Sequence, residues 1–187
     1  MAILTRARGQ SDYLLASRRQ RFEAMFTSHS SAVLAYALRR VEVAEDAADI
    51  IAETFLVAWR RIDDVPAGDE ARLWLFGVAR RVCANHSRGG HRRTVLADRL
   101  RGHLATQVQE TEIEVEVDDD VARVREAMRR LDDGDRELLE MTSWEGLTPS
   151  ELGAVLAVPA STVRSRLQRA RARFRTQLEI VTKEEQS

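Results

Sequence analysis

Hydrophobic and polar positions follow the period of an α-helix along most of this chain. The clearest case is Ala44–Ile62, where apolar or small residues recur every three or four positions and predict one buried face. Similar patterns predict five further helices: Arg18–Phe26, Ser30–Val41, Glu70–His86, Val121–Leu131 and Asp135–Ser143. A loop with both proline and glycine, Asp63–Asp69, follows the Ala44–Ile62 stretch. The pattern therefore predicts an all-α protein.

Residues 148–174 predict two more helices joined by a tight turn, which is the helix-turn-helix arrangement. Thr148 suits the N-cap of the first helix and Pro149 suits its first helical position. Glu151 stands three residues after the cap and completes a capping box. The turn between the two helices is predicted at Ala157-Val158.

The second of these two helices has one apolar face and one polar face. The apolar face carries Val163, Leu167, Ala170 and Phe174. The opposite face carries hydroxyl, amide and guanidinium groups, on Ser161, Arg164, Ser165, Gln168 and Arg169. Six arginines and no acid lie between Ala160 and Arg175, whereas an ordinary solvated helix mixes the two signs. We therefore predict a helix that enters the major groove of DNA, and the alternative is a solvated basic helix at the end of a bundle.

A second basic stretch, Ala71–Arg93, also contains six arginines and no acid. Trp74 and Phe76 lie among these arginines. Aromatic rings can stack on unpaired bases while arginines follow the phosphates, so this stretch predicts a surface for single-stranded nucleic acid. The alternative is that both aromatic residues belong to the core and that the arginines coat a helix.

Charge divides the chain into three segments. Residues 1–93 contain fifteen basic residues and eleven acids, residues 94–120 contain two and eight, and residues 121–187 contain twelve and eleven. In the acidic middle segment Leu96, Leu100 and Leu104 could support a short helix. The stretch QETEIEVEVDDD that follows alternates acids with apolar residues, which is compatible with a strand, but a flexible linker is favoured because no partner strand is predicted. We predict two small helical domains joined by a flexible acidic linker, the C-terminal one with the helix-turn-helix. The predicted bounds are an N-terminal extension 1–17, a first domain 18–93, the linker 94–120, a second domain 121–180 and a tail 181–187.

Composition argues against an enzyme and against a membrane protein. No apolar run approaches the roughly 20 residues that span a bilayer, and the N-terminus lacks the apolar core of a signal peptide. We therefore expect a cytoplasmic protein with no membrane insertion. Cys83 is the single cysteine, and together with His86 it supplies only two of the about four ligands that a zinc site needs. We predict no catalytic residue, no metal site and no cofactor.

Two sequence blocks resemble the extracytoplasmic-function (group IV) sigma factors of bacterial RNA polymerase, which belong to the sigma-70 family. Region 2 of these proteins is similar to FEAMFTSHSSAVLAYALRRV, EDAADIIAETFLVAWRRI and ARLWLFGVARRVCANHSRGGHRR. Region 4 is similar to REAMRRLDDGDRELLEMTSWEGLTPSELGAVLAVPASTVRSRLQRARARF. Two blocks in this order are much more specific than a helix-turn-helix alone. The resemblance implies a subunit that directs core polymerase to promoters.

The resemblance also implies a partner for each surface. The clamp helices of the largest polymerase subunit would bind Asp46, Asp49, Glu53 and Arg60, and the flap of the second-largest subunit is a further implied contact. The −10 element of promoter DNA would be bound and melted by Asp64, Arg72, Trp74, Arg80, Arg81, Asn85 and Arg88. The −35 element would be recognised by Ser161, Thr162, Arg164, Ser165, Gln168, Arg169 and Arg171. The linker would run through polymerase channels that normally hold RNA, and an anti-sigma protein is an implied partner.

Four positions depart from the pattern of the family. Many relatives carry Gln at Ala52, Asn at Arg81, Asp at Asn85 and Gly at Ala157. These departures bear on the −10 sequence and on the polymerase contacts, and they leave the overall pattern in place. The alternative function is a helix-turn-helix transcriptional regulator that is not a polymerase subunit. Such a regulator would use residues 121–178 and would leave the region 2-like surface unexplained.

Overall fold

The computed structural model describes residues 2–41, 43–86 and 119–185, and all regular secondary structure in these ranges is helical. The helices are α1 Ala2–Leu38, α2 Ala44–Arg60, α3 Glu70–His86, α4 Asp119–Arg129, α5 Asp133–Ser143, α6 Pro149–Leu156 and α7 Ala160–Glu185. The chain divides into two compact units, Met1–Glu112 and Ile113–Ser187. The prediction of an all-α protein with two small helical domains is confirmed.

In the first unit α1 is one continuous helix, Ala2–Leu38. The sequence pattern predicted two shorter helices here, and the structure corrects this expectation. The predicted bound of the N-terminal extension, residue 17, falls within α1. The gap between the two predicted helices holds the polar residues Thr27, Ser28 and His29. No glycine or proline lies between Gln10 and Val41, and polar side chains alone do not end a helix because they keep the backbone hydrogen bonds intact.

Three helices share the core of the first unit. Tyr36 of α1, Phe55 of α2 and Phe76 of α3 are all at most 1% exposed. The rings of Tyr36 and Phe76 are 5.4 Å apart, and those of Phe26 and Phe55 are 4.8 Å apart. The apolar stripe predicted along α2 is buried, and it fixes α2 between the other two helices.

In the second unit Arg136 of α5 closes the C-terminal end of α4. Its Nε donates to the Met128 carbonyl oxygen at 3.0 Å, and its Nη2 donates to the carbonyl oxygens of Arg129 at 3.1 Å and Leu131 at 3.0 Å. The last carbonyls of a helix lack partners within the helix, and a cation there also interacts favourably with the negative end of the helix dipole. One guanidinium therefore fixes the end of α4 to the start of α5.

The second unit is longer at both ends than the sequence predicted. Helix α4 begins at Asp119, so the last two residues of the predicted linker are helical. Helix α7 runs to Glu185, so most of the predicted tail is helical as well. Val181 is buried, and both oxygens of Glu184 accept hydrogen bonds from Arg130 of α4. These contacts explain why α7 continues past residue 180. The rest of the predicted linker, residues 94–118, lies outside the described residues.

The turn between α6 and α7 places an alanine in the left-handed backbone region. Ala157 has φ 55° and ψ 44°, and its N–H donates to the Gly153 carbonyl oxygen. A Cβ atom is disfavoured in this conformation, whereas glycine adopts it freely. The family departure at Ala157 therefore stores backbone strain in the turn.

We expect Ala157→Gly to stabilise the second unit by about 0.5–1 kcal/mol. Glycine relieves the strain that the Cβ atom of Ala157 causes at φ > 0, and this relief outweighs the conformational entropy that glycine adds to the unfolded chain. Urea unfolding followed by helix circular dichroism measures this change. Ala154→Gly is the matched control, since Ala154 is an exposed position within α6. It should lower the stability by about 1 kcal/mol. Equal losses in the two variants would contradict the strained turn.

Candidate nucleic-acid interface

The described helix-turn-helix consists of α6, the turn at Ala157 and α7. The predicted capping box is present: Thr148 Oγ1 accepts from the Glu151 N–H at 3.3 Å, and the Thr148 N–H donates to Glu151 Oε2 at 2.8 Å. Gly153 allows α6 to approach the turn closely, because a Cβ atom there would lie 2.8 Å from the Val158 carbonyl oxygen. The start of α7 is therefore held tightly against α6.

Helix α7 has the two faces that the sequence predicted. Val163, Leu167 and Ala170 are buried against the rest of the unit. Six of the seven −35 candidates are exposed, namely Ser161, Arg164, Ser165, Gln168, Arg169 and Arg171, and Thr162 is half-buried. The exposed face of α7 thus presents guanidinium, amide and hydroxyl groups together, which suits contact with base edges and phosphates.

A cleft of about 490 Å³ runs along one flank of this face. Its lining residues are Thr142, Pro149, Arg164, Leu167, Gln168, Arg171 and Arg175. Arg175 was not among the predicted −35 residues, although its sequence spacing could have found it. Positions 164, 168, 171 and 175 fall within about 60° of one another on a helix of 3.6 residues per turn. The cleft therefore extends the basic surface by one more turn of α7.

Arg173 makes a contact within the protein instead of contributing to this exposed face. Its Nε donates to Asp135 Oδ2, and Asp135 is only 6% exposed. The hydrogen bond from Arg173 to Asp135, together with the charges of Asp135 and Asp132, raises the pKa of the Arg173 guanidinium. One of the six arginines of the basic stretch therefore fastens α7 to the start of α5.

In the first unit the predicted −10 residues divide between two sides of α3. Trp74, Arg81 and Asn85 fall within about 40° of one another around the helix axis, and all three are exposed or half-buried. Arg72 lies on the far side, with its guanidinium carbon 5.4 Å from the Phe76 ring centroid. Burial, and then the charge of Arg72, lower the pKa of His29 on α1.

Of the predicted −10 residues, Trp74, Arg81 and Asn85 thus share the outward face of α3, whereas Arg72 faces α1. Arg80 is half-buried. Arg88 lies outside the described residues. Phe76 is 1% exposed and cannot stack on a base, so the core interpretation is correct for that residue.

The loop after α2 brings Arg61, which the sequence pattern did not indicate, close to two of the predicted −10 residues. Arg61 Nε donates to Asp64 Oδ2 at 2.9 Å, and the Arg61 guanidinium carbon lies 5.9 Å from the Trp74 ring centroid. Two predicted −10 residues are therefore joined through one arginine. No sequence signal indicated this contact, because it depends on the fold of the loop.

The four predicted polymerase-binding residues share the outward face of α2. Asp46, Asp49, Glu53 and Arg60 fall within about 60° of one another around the axis, opposite the buried stripe. The three acids are half-buried and Arg60 is exposed. Asp46 Oδ1 also lies 3.4 Å from His86 Nε2 at the end of α3. The acidic face therefore borders the last turn of α3.

Comparison with known proteins matches both units to one family. The family described as Sigma-70 region 2 matches residues 25–94, and the family described as Sigma-70, region 4 matches residues 122–174. The RNA polymerase sigma factor CnrH of Cupriavidus metallidurans is 32% identical over 171 residues, which cover 85% of this chain and 87% of CnrH. The sigma factor NccH of Alcaligenes xylosoxydans xylosoxydans is 32% identical over 145 residues, which cover 75% of this chain and 78% of NccH.

Further similarities agree with this assignment. The ECF RNA polymerase sigma factor SigL of Mycobacterium tuberculosis is 29% identical over 150 residues, which cover 79% of this chain and 82% of SigL. The solved structure of CnrH in complex with the cytosolic domain of CnrY has a TM-score of 0.58 and 26% identity, and it covers 85% of this chain and 88% of that chain. The chain belongs to the extracytoplasmic-function group of the sigma-70 family, the RNA polymerase sigma factors that direct promoter recognition.

In the part of the chain that the structure describes, no helix combines the length and the apolar character needed to cross a membrane.

Proposed function

We propose that α7 recognises the −35 element in the major groove, and that its exposed residues divide into base readers and phosphate anchors. The observation that carries this proposal is the exposed polar face of α7, which adjoins the cleft between α7 and the start of α6. The residues nearest the N-terminus of a recognition helix are those that reach base edges. Arg164 and Gln168 hold these positions, and their side chains match guanine and adenine respectively.

Arg171 and Arg175 lie one and two turns further along the same flank. If the N-terminal end of α7 enters the groove, their side chains lie too far along the helix to reach the base edges. Their guanidinium groups would bind phosphates and hold the register of the helix on the duplex. Ser165 contributes as an acceptor, since its Oγ already donates to the Thr162 carbonyl oxygen at 3.0 Å. Arg169 is exposed on the opposite flank and would bind the phosphates of the other strand.

Two classes of effect should therefore separate. Arg164→Ala or Gln168→Ala should cost about 1–3 kcal/mol of binding and relax the preference at particular base pairs. Arg171→Ala should weaken binding to all sequences nearly equally and reduce the salt dependence by about one counterion. The measurement is binding across a library of −35 variants at fixed salt, followed by a salt titration on the preferred sequence.

Arg166→Ala is the control for loss of one positive charge. Arg166 is exposed but lies roughly 160° from Arg164 around α7, away from the cleft. It should change binding much less than Arg171→Ala. A uniform loss that is the same for Gln168→Ala and Arg171→Ala would refute the division into base readers and phosphate anchors.

For the first unit we propose that the outward face of α3 and the loop after α2 bind and melt the −10 element. Trp74 offers a partly exposed ring for an unstacked base, and Arg61, Arg81 and Asn85 surround it with polar groups. The outward face of α2 would dock on the clamp helices of the largest polymerase subunit. The role is recognition and not catalysis, exercised in the cytoplasm where polymerase and DNA meet.

We also propose an anti-sigma partner. CnrH has been solved in complex with the cytosolic domain of CnrY, and this chain offers the same kind of two-unit target. A protein that covered the outward face of α2 and the exposed face of α7 would block polymerase and DNA together. Such a partner would act by occupying surfaces, with no chemical change to the chain.

A further inference from the structure

Helix α1 holds the middle of the loop between α2 and α3, residues 61–69. The guanidinium of Arg21 donates to the carbonyl oxygen of Val65, across 44 positions of sequence. Val65 is only 3% exposed and, like Ile62, lies in a buried part of the loop. One turn earlier on α1, Arg18 Nη1 lies 3.5 Å from Asp63 Oδ2. Both arginines therefore face the loop from the same side of α1.

Arg18 also contacts the end of α2. Its guanidinium carbon lies 6.0 Å from the centroid of the Trp59 ring, in the last turn of that helix. The side chain is 38% exposed, which indicates that it lies along the surface of the unit. Arg18 thus joins the end of α2 to the first residues of the loop, while Arg21 holds the position of Val65.

Local turns hold the two ends of the loop. A turn hydrogen bond from the Asp64 N–H to the Arg61 carbonyl oxygen holds its start, at 2.9 Å, and one from the Ala71 N–H to the Gly68 carbonyl oxygen holds its end, at 3.1 Å. Residues 67–69 between these bonds are exposed. The hydrogen bond from Arg21 to Val65 joins the part of the loop between these two turns to α1.

We infer that Arg18 and Arg21 are positioning residues for recognition of the −10 element. This inference rests on the proposed function of the loop and of Trp74. A loop that must bind one unstacked base loses affinity and discrimination if it first has to be ordered, because the cost of ordering is subtracted from the binding free energy. Arg18 and Arg21 order the loop in advance, and they do so without contacting the base.

The test uses a double variant that carries both Arg18→Ala and Arg21→Ala. This variant is compared with the wild-type chain, each in complex with core polymerase. A promoter selected with the wild-type holoenzyme is assayed with its own −10 element and with single-base variants of it. Permanganate reactivity of −10 thymines reports strand opening. Separate measurements give affinity for core polymerase, binding to a duplex that contains only the −35 element, and the thermal unfolding midpoint.

We expect strand opening by the double variant to fall about tenfold, and the preference for the selected −10 sequence over its variants to shrink as well. Affinity for core polymerase and for the −35 duplex should stay unchanged. Arg21→Lys should recover part of the preference, since an ammonium group can also donate to the Val65 carbonyl oxygen. Arg19→Ala is the control for loss of an arginine from this part of α1, because Arg19 is exposed and pairs only with Glu23 on α1 among its described contacts.

The loss of sequence preference separates positioning from general destabilisation. If opening falls only in proportion to the loss of thermal stability and the −10 preference is kept, Arg18 and Arg21 are structural residues and the inference is overturned. An effect of Arg19→Ala equal to that of the double variant would also overturn it. If the wild-type holoenzyme opens no −10 element at all, the proposed function of the first unit fails, and this inference fails with it.

Discussion

Reversing the charge of Asp49 and Glu53 is expected to abolish tight binding to core polymerase while the first unit stays folded. Both carboxylates lie on the outward face of α2, opposite the stripe that forms the core. Asp49→Arg with Glu53→Arg would place two cations opposite the basic residues of the proposed partner. Like charges across an interface cost several kcal/mol. A pull-down titration with purified core polymerase measures the affinity, and thermal unfolding verifies the fold.

The control must change net charge by the same amount elsewhere. Glu23→Arg with Glu179→Arg does so at exposed positions on α1 and α7, neither of which belongs to the acidic face of α2. This control should keep nearly full affinity at physiological salt, because salt screens exposed charges that are not in direct contact with the partner. Unchanged affinity in the Asp49/Glu53 variant would show that α2 does not face the polymerase.

Arg136→Ala is expected to give the largest loss of stability in the second unit, about 3 kcal/mol. One half-buried guanidinium donates to three main-chain carbonyl oxygens at the end of α4, and hydrogen bonds from a charged donor are worth about 1.5–3 kcal/mol each without being fully additive. Its removal leaves these carbonyls without the donor that joins α4 to α5. Urea unfolding of the full chain, with the transition of the second unit resolved, measures the loss.

Two further variants make this prediction specific. Arg136→Lys keeps the charge but cannot reach three carbonyls with a planar fork, so it should remain clearly destabilised. Arg129→Ala removes an exposed arginine whose partner is Glu126 on the same helix, and it should change the stability by well under 1 kcal/mol. If Arg136→Lys is as stable as the wild-type chain, charge at the end of α4 matters and the three hydrogen bonds do not.

Local sequence rules predicted much of the fold and the two faces of the candidate interface helix. The capping box at Thr148 and the two faces of α7 follow from side-chain types at fixed helical spacing. The buried stripe of α2 follows from the same periodicity. In each case the signal lies within one or two turns of chain, so the pattern alone determines which face is buried.

The features that the sequence did not reveal depend on contacts between distant segments. The ties from Arg21 to Val65 and from Arg173 to Asp135 join residues 44 and 38 positions apart. Arg72 was grouped with the −10 residues by its neighbours in the chain, yet α3 turns it towards α1. Charge density along the sequence thus identified the basic helices, but it did not show which of their arginines make contacts within the protein.

Run-off transcription with purified core polymerase is the most direct test of the proposed promoter-recognition surfaces. Genomic fragments are transcribed with and without the wild-type chain, and the promoters that respond are then transcribed with Gln168→Ala and with the Asp49/Glu53 variant. We predict discrete transcripts that require the chain, lose −35 preference with Gln168→Ala and disappear with the α2 variant. A chain that binds specific duplex DNA but yields no core-dependent transcript, or an α2 variant that transcribes at the wild-type level, would contradict this account.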